Sequence, residues 1–278
     1  NSPLQLDIPM AEGLIAMAAH GQVVAITPFT LSGAMAPVTL AGALTLQHAE
    51  ALAGIVLTQI VRPGVPVMYG AFTSNVDMRS GSPAFGTPEY TKAALASGQL
   101  ARHIRVPFRS SNVTAANEVD AQAAYESQMA LWGALMGGAH LLEHAAGWMH
   151  GGLTASFEKL ILDAEMLQMM DAFFAPLDVS TATLAVQAIR DVGPAGHFFG
   201  AAHTMERYEH AFYTPILSNW DNHPNWLQNG GVMAREKANT VWKQLLRDHV
   251  DPPLDPGIAE ALDDYVARRK AEGGAPMN

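Results

Sequence analysis

Apolar residues fall into two alternating kinds of block along the first two-thirds of the chain. Short runs closed by proline, glycine or polar residues read as strands: Gly21–Phe29, Val65–Phe72, Ile104–Ser111 and Ala139–Trp148, with a shorter fifth at Gly196–Gly200. Longer segments with helical character lie between them. Pro37 opens one that lasts to Val61, in which Leu40, Leu44, Leu52, Val56 and Ile60 recur at multiples of four, and Pro63-Gly64 ends it. Thr87 is placed to cap a helix that starts at Pro88, carries Glu89 in its first turn and runs to His103. Ala121–Gly138 reads as an Ala/Leu/Met helix, Ser156 caps another from Phe157 to Phe174, and a further one covers Ser180–Val192.

Strands separated by helices of this length describe βαβ units and a parallel sheet. Four or five such units fit an open doubly wound sheet or part of a (β/α)8 barrel. No G-x-G-x-x-G or G-x-x-x-x-G-K-[ST] follows any strand, which removes the usual nucleotide fingerprints. The expected architecture is therefore an α/β chain of TIM-type (β/α)8 barrel units, incomplete in this chain, with ligands met at the strand C-termini.

Charge changes the picture at the C-terminal end. The 278 residues are 49% hydrophobic and 15% charged, against a usual charged share of about 25%. Most of the body is poor in charge, whereas positions 235–278 are rich in it. The division expected is a partial barrel over 1–234 and a solvated helical extension over 235–278, packed on the barrel. A charge-poor body also implies covered surface, most simply a twofold homodimer. The net charge of −10 argues against nucleic-acid or anionic-membrane surfaces. With no cysteine, disulfides, Cys-ligated zinc and thiol catalysis are impossible, and a reducing cytoplasm fits. The most apolar stretch, Leu40–Val61, contains Gln47, His48, Glu50 and Gln59, a poor pattern for a lipid-spanning helix. The N-terminus shows no basic leader followed by an apolar run, and it lacks an initiator Met, as expected of a processed or trimmed chain.

From GAMAPVTLAGALTLQHAEALAGIVLTQIVRPGVPVMYG through DMRSG, TPEY and DAQAAYE to HFFGAAHTMERY, FYTPILSNW and LLRDHVDPPLDP, the sequence resembles the trimethylamine:corrinoid methyltransferase family. The likeness extends from Ser2 to about Tyr265 and matches only the C-terminal part of longer family members. It implies a (β/α)8 barrel whose first strands are missing here. It also implies transfer of a methyl group from a quaternary or tertiary amine, glycine betaine-like or trimethylamine-like, to the cobalt of a corrinoid protein. That corrinoid would come from a partner protein, with no tightly bound cofactor on this chain, since no D-x-H-x-x-G motif occurs. Archaeal trimethylamine enzymes of the family carry pyrrolysine. Its counterpart would lie in or near Ser111–Asp120, where this chain has ordinary residues throughout, which favours a quaternary ammonium substrate. The alternative is a catalytically inactive quaternary-ammonium-binding or assembly module derived from the same barrel. A hydrolase reading has no G-x-S-x-G elbow to support it.

Under the family reading the nucleophile is Co(I) and the leaving tertiary amine is neutral, so the protein chiefly holds a cation and aims its methyl group. Aromatic faces suit that task. The candidates for substrate binding are Phe29, Tyr69, Phe72, Phe108, Trp148, Phe198 and Phe199, each with core packing as the competing role. The candidates for catalysis are Asn117 and Asp120 at a loop-to-helix junction, Glu143 within an apolar strand, and His203 in the HTMER motif. Asp120 alternatively caps the helix that follows, and Glu143 needs a basic partner or a bound cation. Glu206 either shares a helix face with His203 or pairs with Arg207 on the surface. His140 and His144 share one strand face but lack a third ligand, so no metal site is expected and a hydrogen-bonded structural role is favoured. The methionines of EMLQMM read as core packing.

Overall fold

The computed structural model describes residues 1–274. Its elements begin with α1 (Ile8–Ala19), β1 (Val24–Ile26), β2 (Leu31–Ser32), α2 (Leu40–Val61), β3 (Val67–Gly70), β4 (Ser74–Val76) and β5 (Pro83–Ala84). They continue with α3 (Pro88–His103), β6 (Phe108–Ser111), α4 (Ala121–Met136), β7 (Leu141–Glu143), β8 (Trp148–Met149), β9 (Thr154–Ala155) and α5 (Phe157–Phe174). Six further helices follow: α6 (Thr181–Leu184), α7 (Val186–Val192), α8 (Ala202–Met205), α9 (His223–Gln228), α10 (Ala234–Asp248) and α11 (Pro256–Ala271).

The chain is mixed α/β around a sheet ordered β1-β3-β6-β7, with every neighbouring pair parallel. Parallel neighbours require a crossover, and α2, α3 and α4 supply them. The register sets Ile26 against Tyr69 and Tyr69 against Phe108, so these side chains share one face. There they form a core with Ala51 of α2 and Ala101 of α3. Alternation sends Met68, Gly70 and Arg109 to the other face. Beyond the strand ends, β2 and β4 pair in parallel, β5 joins β4 antiparallel, and β8 and β9 form a hairpin.

Helix starts follow their side-chain caps. Thr87, Asp120 and Ser156 each accept a backbone N–H from the first turn of α3, α4 and α5. Between α3 and α4 the contact is made of small residues. Gly98 lies so close to α4 that a Cβ there would fall inside the radius of the Gly137 carbonyl oxygen. On α2 the buried stripe is Ala43, Gln47, Ala51, Gly54 and Thr58, not the larger series suggested by the sequence. A four-residue step advances about 40° around a helix, so the series beginning at Leu40 drifts off the buried face, leaving Val56 and Ile60 exposed. This helix is long and apolar enough to cross a membrane by length and composition alone. In the fold its polar Gln47 is buried, donating to Tyr69 Oη at 3.1 Å and Ser97 Oγ at 2.9 Å.

Buried charges tie the loops to the helices. Glu126 of α4 accepts from Thr114 Oγ1 at 2.5 Å and from the backbone N–H groups of Ala115 and Ala116 at 2.8 and 3.2 Å. Lys159 and Asp163, one turn apart on α5 and fully buried, form an ion pair. The Lys159 ammonium also donates to Ser127 Oγ at 2.7 Å, and Asp163 accepts the Gly147 N–H at 2.8 Å. Burial pulls the Lys159 pKa down and pushes that of Asp163 up, each opposed by its partner's charge. Glu165 holds the backbone N–H groups of Leu217 and Ser218. Glu158 accepts from Asn239 Nδ2 at 2.6 Å and Trp242 Nε1 at 2.9 Å, fixing the first part of α10 to α5.

Several elements differ from the sequence expectation. Gly196–Gly200 is turn and bend, not a fifth strand. Gly193 and Ala195, just before it, take positive φ values of 67° and 62°, which turn the chain out of the extended region. The helix expected over Ser180–Val192 breaks into α6 and α7 at Ala185, which is left-handed at φ 48°. The fourth strand keeps only Leu141–Glu143, because His144 has φ 54°. His140 and His144 therefore do not share a strand face. α1 is a helix beyond those expected from the sequence: Asp7 caps it by accepting the Met10 N–H, while apolar Ile8, Met10, Ile15 and Met17 all face outward on it.

Contacts divide the chain into one unit of Asn1–Trp242 and another from Lys243 onward. The first holds all nine strands and α1 to α9, together with the start of α10. In the second, the end of α10 is followed by α11, which Asp255 caps through the N–H groups of Gly257 and Ile258.

Three outcomes follow. Gly98→Ala should cost about 1–3 kcal/mol by forcing α3 and α4 apart, whereas Gly13→Ala, with open space at its Cβ, should gain up to about 1 kcal/mol; denaturant midpoints read both. Lys159→Met, which strands a buried carboxylate, should cost about 3–5 kcal/mol. Adding Asp163→Asn should recover much of that loss in the same unfolding experiment, because the amide oxygen can still accept the Gly147 N–H. The third concerns Glu158, whose pKa the Asn239 and Trp242 hydrogen bonds lower from 4.5 to about 2. A depressed carboxylate stabilises above its unfolded pKa and loses that contribution as pH falls through the folded one. Amide protection over residues 234–242, taken relative to the intrinsic exchange rate at each pH, should therefore fall between pH 4.5 and about 2. In Glu158→Gln this pH dependence should be flatter.

Candidate functional site

All four strands of the parallel sheet deliver their C-terminal ends to one edge, where the chain continues into loops. β1 leads to Phe29 and Thr30, β3 to Phe72 and Thr73, β6 to Asn112 and Thr114, and β7 to His144. Close strand approach is built in at Gly70, where any Cβ would collide with Thr27 Oγ1. Thr30 and Thr73 are hydrogen-bonded to each other, and Thr73 donates to Gln47 Oε1 at 2.6 Å, which anchors both loops to α2.

At this edge the rings converge on Phe72. Its centroid lies 5.3 Å from Phe29, 5.6 Å from Phe85, 6.0 Å from Trp148 and 5.9 Å from His144. His144 and Trp148 are 4.3 Å apart. Phe72 and Phe85 are buried, whereas Phe29 and Trp148 are partly open. The Arg109 guanidinium stands 5.7 Å from the Phe72 centroid and forms an ion pair with Glu143 through Nη2. The arginine side chain is 4% exposed and the glutamate 42%, so the carboxylate forms the open end of the pair. Nε and Nη1 of Arg109 and Nε1 of Trp148 are buried without an acceptor. Burial and the Arg109 charge hold the His144 imidazole below its ordinary range, opposed by Glu143. Burial drives the Tyr90 phenol up to about 12, and its hydroxyl donates to the Ser111 carbonyl at 3.0 Å. Tyr90 thereby supports the β6 end without offering a proton.

The structure gathers Phe29, Phe72, Trp148 and Glu143 of the expected residues into this one cluster. Tyr69 and Phe108 are buried on the opposite face, in the core against α2 and α3. Asp120 caps α4, accepting the N–H of Gln122 at 2.9 Å. Asn117 lines a different cavity of about 810 Å3 together with Glu118, His150, Glu158, Arg235 and Asn239. Its carbonyl accepts from His150 Nε2 at 3.0 Å. Phe198 and Phe199 are exposed, at 44% and 85%, and join none of the strand-end contacts among the described residues. His203 lies on α8 with Nε2 at 3.2 Å from the Ala182 carbonyl, beside a cavity of about 670 Å3, while Glu206 pairs with Arg207. His140 Nδ1 accepts the Phe108 N–H at 3.1 Å, and His144 Nδ1 lies 3.2 Å from Ser111 Oγ. Among the described residues no three His, Asp or Glu side chains gather as a metal-binding set.

Arg109, Phe85, Tyr90 and Glu126 belong to the site or its support without having stood out in the sequence. Arg109 had one signal: a charged residue inside an apolar strand, FRSS, matched by Glu143 inside the next, LLE. Two opposite charges in adjacent parallel strands point to each other.

Over residues 1–274 the chain matches the family described as trimethylamine methyltransferase (MTTB). It is 39% identical over 274 residues to a glycine betaine methyltransferase from Desulfitobacterium hafniense (strain Y51), covering 98% of this chain and 57% of the relative. It is 30% identical over 276 residues to trimethylamine methyltransferase MttB2 from Methanosarcina mazei, covering 98% and 55%. A trimethylamine methyltransferase MttB from D. hafniense (strain DSM 10664 / DCB-2) is 29% identical over 274 residues, covering 98% and 55%. The chain thus spans about half the length of these curated relatives. A match that runs through every strand of the parallel sheet and every residue of the strand-end cluster makes the chain a member of the trimethylamine methyltransferase family.

Proposed function

We propose that the protein containing this chain transfers a methyl group from a quaternary ammonium compound to the Co(I) centre of a corrinoid protein. The observation that carries this reading is the aromatic cluster around Phe72, set at the C-terminal edge of a parallel sheet with the Arg109–Glu143 pair, in a chain of this family. The four strands are read as part of a (β/α)8 barrel, whose reactive groups collect at this edge. Phe29 and Trp148, the partly open rings, offer π-faces to a cation, and Glu143 offers a partly open carboxylate at the same strand edge.

The corrinoid is a co-substrate. Co(I) supplies the electron pair of the new bond to carbon, and the old C–N pair stays on nitrogen. From a quaternary ammonium the product is a neutral tertiary amine, and no proton moves. The ordinary residues throughout Ser111–Asp120 support a quaternary over a tertiary substrate. The remaining task of the chain is to orient the methyl group and exclude water from the aromatic rim. The cysteine-free sequence supports a reducing, cytoplasmic setting, and the charge-poor body supports a homodimer.

The experiment mixes the protein with reduced corrinoid protein and a panel of glycine betaine, proline betaine, carnitine, choline and trimethylamine. Loss of the Co(I) absorbance with release of a tertiary amine is expected for at least one quaternary member. Transfer from trimethylamine alone would overturn the quaternary assignment, and no transfer from any member would leave a binding module as the better reading. In Trp148→Ala the rate should fall at least tenfold, equivalent to about 1.4 kcal/mol of barrier.

A further inference from the structure

We infer that α11 pairs with α11 of a second copy of this chain, antiparallel across a twofold axis near Tyr265. This deepens the homodimer reading above and rests on it, and it is independent of the methyl-transfer reading. The argument starts from the helix itself. Ile258, Leu262, Tyr265 and Val266 recur at steps of four, three and one, which gathers them into a single stripe about 100° wide. All four are open, at 53%, 52%, 54% and 45% exposure. Among the described residues, no core cluster includes any of them. Glu260 and Ala267 lie on the opposite side of the helix. A helix of 16 residues is marginal in water on its own. An apolar seam at four-three spacing is what two helices use to bury each other.

Charge selects both the partner and its direction. The first part of the helix is acidic, with Asp255, Glu260, Asp263 and Asp264, and its last turn is basic, with Arg268, Arg269 and Lys270. Arg269 pairs with Glu272 at 2.6 Å. Asp263, Asp264, Arg268 and Lys270 enter no ion pair among the described residues, although Asp264 and Arg268 are one turn apart. At about 100° per residue, Asp263 and Lys270 flank one side of the apolar stripe, and Asp264 and Arg268 flank the other. In an antiparallel pair each flank meets the same flank of the other helix. Asp263 then comes opposite Lys270 of the second copy, and Asp264 opposite Arg268 of the second copy, each contact made twice by the twofold. Parallel helices would bring unlike flanks together at one height. Asp263 would face Asp264 and Lys270 would face Arg268, like charge against like. The helix is therefore complementary to itself in one direction only. At a net charge of −10, two copies need such a matched contact in order to meet.

The test reads mass by sedimentation of the full chain over a range of concentrations. A dimer is expected, and Leu262→Asp with Tyr265→Asp should raise its dissociation constant at least about tenfold. Two further variants keep the test independent of helix loss. Arg268→Glu with Lys270→Glu makes both flanks acidic, and Asp263→Lys with Asp264→Arg makes both basic. Each alone should dissociate, and a mixture of the two should restore a one-to-one dimer. Failure of the mixture to pair would overturn the charge match. Direction is read by cross-linking, which the absence of native cysteine makes specific. With a short bis-maleimide, Ile258→Cys should link to Glu272→Cys of a differently tagged chain and not to itself. Self-linking of Ile258→Cys would overturn the antiparallel arrangement. A dimer that survives Leu262→Asp with Tyr265→Asp undiminished would overturn the α11 contact and leave the homodimer reading standing. A monomer at every concentration would overturn both.

Discussion

The register between β6 and β7 is the constraint on which the rest of the site depends. Pairing Ser111 with Glu143 and Arg109 with Leu141 puts the arginine and the glutamate on one face of adjacent parallel strands. A slip of β7 by one residue would turn Glu143 into the opposite face, where Leu142 packs beneath α4 and α5, and leave Arg109 without it. A buried guanidinium without its partner, and a carboxylate in that core, would cost more than a local rearrangement could recover. The ion pair and the register therefore select each other, and the aromatic rings assemble on the pair that results.

The loops at this edge are not held by hydrophobic contact alone. Glu126 binds three donors of the segment after β6, Asp163 holds Gly147 just before Trp148, and Gln47 reaches up from α2 to Thr73. Each anchor is a buried polar group with its hydrogen-bonding capacity largely used within the protein. Such groups add little net stability but are severe in what they exclude, since any other loop path leaves them unsatisfied. Rigidity of this kind suits the orienting task proposed for the site.

Much of this organisation was legible in the sequence, for identifiable reasons. The helices over Pro88–His103 and Phe157–Phe174 were marked at their starts by Thr87, Pro88 and Ser156, and they form as expected. The four parallel strands were visible as apolar runs, although each proved shorter, because only part of each run finds a neighbour with which to pair. Gly196–Gly200 failed as a strand for the same reason: local apolarity does not supply a partner, and Ala195 had already left the extended region. On α2 the eye follows Leu and Val, but the packing followed Ala and Gly, since close approach to Ile26 requires the absence of a side chain at Gly54. Of the aromatic candidates, Tyr69 and Phe72 are three residues apart yet lie on opposite sides of the sheet. Only the strand's alternation and its end at Gly70 separate a core ring from a site ring.

The electrostatics of the pair also bear on turnover. In the reaction proposed above, methyl loss converts a cation into a neutral amine, so an interaction that holds the ammonium too strongly would stabilise the ground state more than the transition state. A free carboxylate beside the nitrogen would do that. Glu143 is not free: one oxygen is committed to Arg109, which draws off much of its field, and its exposure screens the remainder. Aromatic faces bind the cation diffusely and do not demand that charge persist at one point. A weakened carboxylate among rings is thus better matched to a disappearing charge than a strong one.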